Sequence, residues 1–136
     1  MSKNLQKTLT QKINIEGIGL HSGKLVNLKI LPAEEDHGIK FKRTDIPENN
    51  IIEAKFENVT DPVLCTKIKN LKGVTISTVE HLMAAFFGEG IDNALVEIDA
   101  SEVPILDGSA NEFVDAIRSV GVKKQKELRK FLKVKK

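Results

Sequence analysis

Residues 77–114 read STVEHLMAAFFGEGIDNALVEIDASEVPILDGSANEFV, and within this stretch the spacing of apolar residues changes twice. Ser77 followed by Glu80 has the form of a capping box, and Val79, Leu82, Met83 and Phe86 then fall on one helical face until Gly88 and Gly90 end the pattern. A helix is predicted there. Ala94, Val96 and Ile98 next alternate with Leu95 and Glu97, a period of two that predicts a strand. Ser109 with Glu112 repeats the capping-box form, and Phe113, Val114, Ile117 and Val120 make a second apolar stripe that stops at Gly121.

Towards the amino terminus the period is two throughout. Ile13 and Ile15 alternate with polar neighbours, GIGLHSG (residues 17–23) supplies a glycine-rich corner, and Val26, Leu28 and Ile30 alternate again up to Pro32. Further alternation occurs at Ile39 and Phe41 and, weakly, from Ile52 to Phe56. Runs from Val63 to Ile68 and from Val74 to Ile76, separated by residues 70–73, predict a hairpin. Leu132 and Val134, alternating with Lys133 and Lys135, have the form of a strand beginning. The sum is an α+β fold, a two-layer sandwich in which a mostly antiparallel sheet of several strands packs against two helices.

With 136 residues the chain has room for one compact domain. No apolar run reaches the roughly 20 residues that span a bilayer, and MSKNLQKTLTQK lacks the apolar core of a secretory signal, so stable membrane insertion and export are not expected and the cytoplasm is the default. A single cysteine, Cys65, makes neither an intramolecular disulfide nor a cysteine-based zinc cluster, so a metal would need His and carboxylate ligands. Net charge is +2, yet residues 123–136 hold eight Lys or Arg against one Glu, which leaves the preceding residues net negative. A basic end invites a nucleic-acid reading; a solvated strand or tail is the commoner explanation of such a run, and no Trp or Tyr is present to stack on bases.

The candidate chemistry is confined to a few residues. His37 lies in EEDHG, a solvated loop pattern, and His21 lies in GLHSG, whose glycines let the backbone approach another group closely. His81 stands apart: it occupies the first turns of the capped helix beside Glu80, and the following Ala84, Ala85 and Gly88 leave space above its imidazole. The partial positive charge of a helix amino terminus suits a neutral imidazole and an anionic carboxylate. A lone helical histidine is nevertheless more often structural than a ligand, and Glu80 has a ready role within the capping box. No HExxH and no second histidine at helical spacing accompanies His81, so the chain alone does not complete a catalytic zinc site of about three protein ligands. Asp99, Glu102 and Asp107 are further carboxylates within reach of such a site, although acidic residues in a connection of this kind usually form turns.

The stretch at 77–114, together with GIGLHSG, FKRTD and VLCT in the same order, closely resembles the amino-terminal domain of the zinc-dependent UDP-3-O-acyl-N-acetylglucosamine deacetylase family of Gram-negative lipid A biosynthesis. The resemblance implies a ribosomal-protein-like domain, one of two of like fold, with the active site between them. It implies that His81 is a zinc ligand and that Glu80 takes the proton of the attacking water. It places Leu20, Leu64 and Cys65 among the substrate-binding positions; on the residues alone, these read as ordinary apolar packing. Its partner is the UDP-sugar acyl substrate, with no nucleic acid and a monomeric state expected. On this reading residues 1–122 form the amino-terminal domain and the basic segment 123–136 begins the connection to a second domain that holds the remaining ligands, so the chain alone would be inactive. The rival readings are a small basic-tailed nucleic-acid-binding module and a noncatalytic assembly domain.

Overall fold

The computed structural model describes residues 4–60 and 66–129. Strand β1 (Leu5–Leu9) pairs antiparallel with the last strand, β10 (Val122–Leu128), so the two ends of the described chain lie side by side. Strands β2 (Ile13–Ile18) and β3 (Leu25–Pro32) flank the glycine-rich corner and pair antiparallel, with Ile15 opposite Leu28. They belong to a five-stranded sheet that continues through β9 (Ala94–Ile98) and β4 (Ile39–Arg43) to β5 (Ile51–Glu53), in the order β2-β3-β9-β4-β5. Its pairings are antiparallel except that of β4 with β9, which is parallel. A smaller sheet of β6 (Val59–Thr60), β7 (Lys67–Lys69) and β8 (Thr75–Ser77) contains the predicted hairpin. Of its predicted first run, Val63, Leu64 and Cys65 lie outside the described residues, as do Leu132 and Val134.

Period two in the sequence becomes one buried face in the sheet. Val26, Leu28 and Ile30 of β3 are fully buried between more exposed neighbours, and Ala94, Val96 and Ile98 of β9 are fully buried between the half-buried Leu95 and Glu97. Helices α1 (Glu80–Glu89) and α2 (Asn111–Val120) complete the second layer and pack on each other. Leu82, Ala85 and Phe86 of α1 and Phe113 and Ile117 of α2 join one apolar cluster with Phe41, Ile52 and the β3 and β9 side chains. Each of the leucine, isoleucine, valine and phenylalanine side chains stabilises the fold by about 1.5–3 kcal/mol relative to exposure. Gly90 closes α1 and Gly121 closes α2, as their positions predict.

Neither helix starts as the capping-box patterns suggest. The residue capping α1 is Val79 and that capping α2 is Ala110, and neither start has a side-chain cap. Ser109 instead accepts a hydrogen bond from the Asn111 N–H at 3.2 Å and donates its own proton to Asp107. Asp107 thus makes a local turn, the commoner role of an acidic residue before glycine.

The basic segment is a solvated strand over its described part, with Lys123, Lys124 and Lys126 exposed. It is fixed through Gln125, which donates to the Ala33 carbonyl at 2.8 Å and accepts from the Asn93 amide at 2.8 Å. Asn93, almost fully buried, also donates to Gln6 and accepts from the Gly38 N–H, so its amide is well satisfied.

Truncation of two of the helix phenylalanines separates packing from surface contributions. Phe113→Ala, at a fully buried position, should lower unfolding free energy by about 3–5 kcal/mol. Phe87→Ala, at a position 90% exposed, should change it by no more than about 0.5 kcal/mol. Urea titrations followed by circular dichroism measure both, and equal losses would contradict this assignment of the core.

Candidate active site

The start of α1 is shaped by backbone and by tertiary hydrogen bonds. Thr78 has φ of 61°, a left-handed conformation that costs a β-branched residue on the order of 1–3 kcal/mol. This turn brings the chain out of β8 and places Val79 and Glu80 against Thr66. Thr66 accepts from the Val79 N–H at 3.3 Å and donates its own N–H to Glu80 Oε2 at 2.7 Å. Glu80 therefore spends one oxygen on a residue fourteen positions earlier in sequence, and no side chain caps the helix. Its other oxygen, Oε1, is buried and has no hydrogen-bond partner among the described residues. A buried carboxylate oxygen without a partner is destabilising where nothing compensates it, and such an atom marks a place where a proton or ligand is expected.

His81 follows on the next helical position, half-buried, and neither ring nitrogen is engaged in a hydrogen bond among the described residues. The space above it is only partly that expected from the sequence. Ala84 and Gly88 are exposed on its side of α1, whereas Ala85 is turned into the core and leaves no room there.

A second carboxylate organises the surroundings. Glu102, only 2% exposed, accepts from the His21 N–H at 3.0 and 3.1 Å, from the Ser22 N–H at 3.1 Å and from the Thr78 hydroxyl at 3.1 Å. Its segment also runs beside β8: Ser77 donates to the Ser101 carbonyl at 2.8 Å, and Val103 donates to the Ser77 carbonyl at 3.0 Å. On the other side, Ile105 donates to the Ile18 carbonyl at 3.0 Å. The glycines of the GIGLHSG corner permit this closeness. A Cβ at Gly19 would lie 2.4 Å from Glu102 Oε1, and one at Gly17 would lie 2.8 Å from Pro104 Cβ. Glu102 is thus no turn former; it joins the corner to the start of α1, a role its sequence neighbourhood does not announce.

The other candidate residues do not all share this junction. Leu20, beside His21 at the tip of the corner, is 58% exposed. Leu64 and Cys65 lie outside the described residues; the residue that follows them, Thr66, is the one bonded to Glu80. His21 is exposed, and His37 is occupied with the Gly38 carbonyl at 2.8 Å. Asp99 is taken up by Asn27, whose backbone N–H and side-chain amide both donate to it. No group of three or more His, Cys, Asp or Glu able to hold a metal occurs among the described residues. A broad surface cavity of about 590 Å³ is lined by residues 49–51, 53, 55, 57, 58 and 70–72, with no residue of α1 or the corner in its walls. No helix among the described residues is long and apolar enough to cross a membrane.

The junction of GIGLHSG, Glu102 and the Glu80–His81 turn lies within a sequence match to a single family. The family model for UDP-3-O-acyl N-acetylglycosamine deacetylase, LpxC, matches residues 6–136. The chain belongs to the LpxC family. It is 47% identical over 130 residues to the UDP-3-O-acyl-N-acetylglucosamine deacetylase of Shewanella baltica, an alignment covering 96% of this chain and 42% of that protein. The enzyme of the same name from Syntrophus aciditrophicus is 47% identical over 131 residues, covering 96% of this chain and 41% of the relative. The chain therefore spans about two fifths of the length of these LpxC relatives.

The junction has a pH signature. Burial raises the tendency of Glu102 to hold a proton, but the His21 and Ser22 N–H groups and the Thr78 hydroxyl more than offset it, so its carboxyl titrates below the ordinary glutamate range. A folded-state value below the unfolded one adds stability above the unfolded value, and that stability is lost as pH falls through the folded value. Wild-type protein should accordingly lose more stability than Glu102→Gln between roughly pH 5 and pH 3. Urea midpoints across that range measure the difference; parallel curves would show that the buried carboxylate is not the titrating group.

Proposed function

We propose that this chain supplies one wall of the active site of a zinc-dependent deacetylase that removes the N-acetyl group of a UDP-3-O-acyl-N-acetylglucosamine, a step of lipid A biosynthesis carried out in the cytoplasm. The reading rests above all on the buried Glu80 Oε1 beside the imidazole of His81, neither of which has a hydrogen-bond partner among the described residues. The names of the LpxC relatives supply the substrate class. The donor set fits the metal, since an imidazole is a common zinc ligand and an adjacent carboxylate with a free oxygen is suited to proton transfer. His81 would be one of about three protein ligands, the others coming from a second domain to which the basic segment 123–136 leads, its first residues being held in β10 against β1.

When bound, zinc supplies Lewis-acid chemistry, making water a nucleophile at neutral pH and polarising the amide carbonyl. The chain's own residues do the rest. Thr66, through its N–H, fixes the Glu80 carboxylate by Oε2 and leaves Oε1 to accept the water proton. Early placement in α1 gives that carboxylate a favourable electrostatic setting. Leu20, at the exposed tip of the corner, offers apolar surface to the substrate; Leu64 and Cys65, just before Thr66, are assigned to the same surface from the resemblance. Acetate leaves, and the sugar amine remains.

Two experiments test the assignment. In the complete protein that contains this domain, Glu80→Gln should lower kcat by about a hundredfold or more with zinc content and circular dichroism unchanged; undiminished turnover would remove Glu80 from the chemistry and favour a noncatalytic assembly role. The 136-residue chain by itself should bind zinc weakly, and His81→Ala should abolish even that. Tight stoichiometric zinc in the chain, or zinc binding indifferent to His81→Ala, would contradict the shared metal site.

A further inference from the structure

Glu102 is built more expensively than a surface turn requires. It is a buried carboxylate satisfied by three donors from two places distant in sequence: His21 and Ser22 in the corner, and Thr78 before α1. The donor at Thr78 belongs to a residue in left-handed conformation, the one whose backbone turn sets the direction in which Glu80 and His81 leave β8. The donors at His21 and Ser22 immediately follow Leu20. Gly19 lacks the Cβ that would collide with the carboxylate, so the corner is shaped to receive it. Hydrogen bonds to an ionised acceptor are stronger than those between neutral groups, and each fixes its donor more firmly than a neutral contact would.

We propose that Glu102 is a positioning residue, which holds the Leu20 tip of the GIGLHSG corner and the Glu80–His81 turn in one fixed relation. The proposal rests on the deacetylase reading above. Glu102 touches neither substrate nor metal in this account; it acts through the Leu20–Ser22 backbone on substrate contact and through Thr78 on the proton acceptor. The two arms are separable. Loss of the carboxylate releases both, whereas loss of the Thr78 hydroxyl releases only the arm toward Glu80. KM should follow the first arm, and kcat the second.

The test combines amide hydrogen exchange on the 136-residue chain with kinetics on the complete protein containing it. Glu102→Gln removes the charge and turns a donor group toward the corner. It should speed exchange of the His21 and Ser22 amides by about tenfold or more while amides of β3 and β9 keep their protection. In the complete protein the same variant should raise KM and lower kcat, each by about tenfold. Thr78→Val, which keeps the shape and removes only the hydroxyl, should lower kcat with KM within about twofold, and Thr78→Ser should restore it. Asp99→Asn, in the same connection but bonded only to Asn27, serves as the control with wild-type kinetics. Unchanged exchange at His21 and Ser22 would overturn the contact itself. Faster exchange with unchanged KM and kcat would overturn the positioning role while leaving the deacetylase reading intact. Glu80→Gln, assayed alongside, reports on that reading separately: full activity there sinks both. Should Glu102→Gln unfold, the Thr78 pair decides, and equal kcat for Thr78→Val and wild type overturns the proposal.

Discussion

A single buried carboxylate sets the geometry on which the candidate site depends. Glu102 gathers two backbone N–H groups of the glycine-rich corner and the hydroxyl of Thr78, and burial of an anion at that place is tolerable only because all these donors converge on it. The energetic consequence is mutual. The carboxylate needs the donors, and it in turn helps to hold the segments that carry them: a corner closed by the Gly23 N–H to the Gly19 carbonyl and a threonine with φ of 61°. Strain of that size, about 1–3 kcal/mol, persists where surrounding contacts over-determine it.

The rest of the architecture presents this junction rather than creating it. The five-stranded sheet and the two helices bury one continuous apolar cluster, and α1 is anchored in it by Leu82, Ala85 and Phe86. That anchoring leaves the first turn of α1 at the edge of the core. There Glu80 is close enough to the interior for Oε1 to lose solvent, while His81 remains half-buried. Rigid burial on one side and an unsatisfied polar atom on the other is the arrangement by which a scaffold holds a reactive group ready. The reaction class proposed for that arrangement comes from the names of the LpxC relatives, of whose length the chain spans about two fifths.

The periodic elements were legible because their signals are local. Alternation in Val26–Leu28–Ile30 and Ala94–Val96–Ile98, the apolar stripes of both helices, and the glycines that end them all follow from which face must leave water. The helix starts were misread for an equally physical reason. Ser77 and Glu80 have the right types and spacing for reciprocal capping, but Ser77 is drawn to the Ser101 carbonyl and Glu80 to the Thr66 N–H, partners that only the folded chain provides. Glu102 was hidden similarly: in sequence it is one acidic residue among three in a turn-like connection, and its donors at positions 21 and 22 lie eighty residues away. Asn93, Gln6 and Gln125 form a buried amide network that no periodicity predicts. The pairing of Glu80 with His81 as chemistry came from resemblance to a family, since residue types alone favour a structural histidine.

A metal held by His81 would sit against the first turn of α1. The most direct measurement is anomalous diffraction at the zinc edge from crystals of the complete protein grown with zinc. The account predicts a zinc peak about 2.0–2.1 Å from a ring nitrogen of His81, with Glu80 Oε1 directed at the space beside it. A zinc peak coordinated entirely by other residues, with the His81 ring turned away from it, would contradict the account.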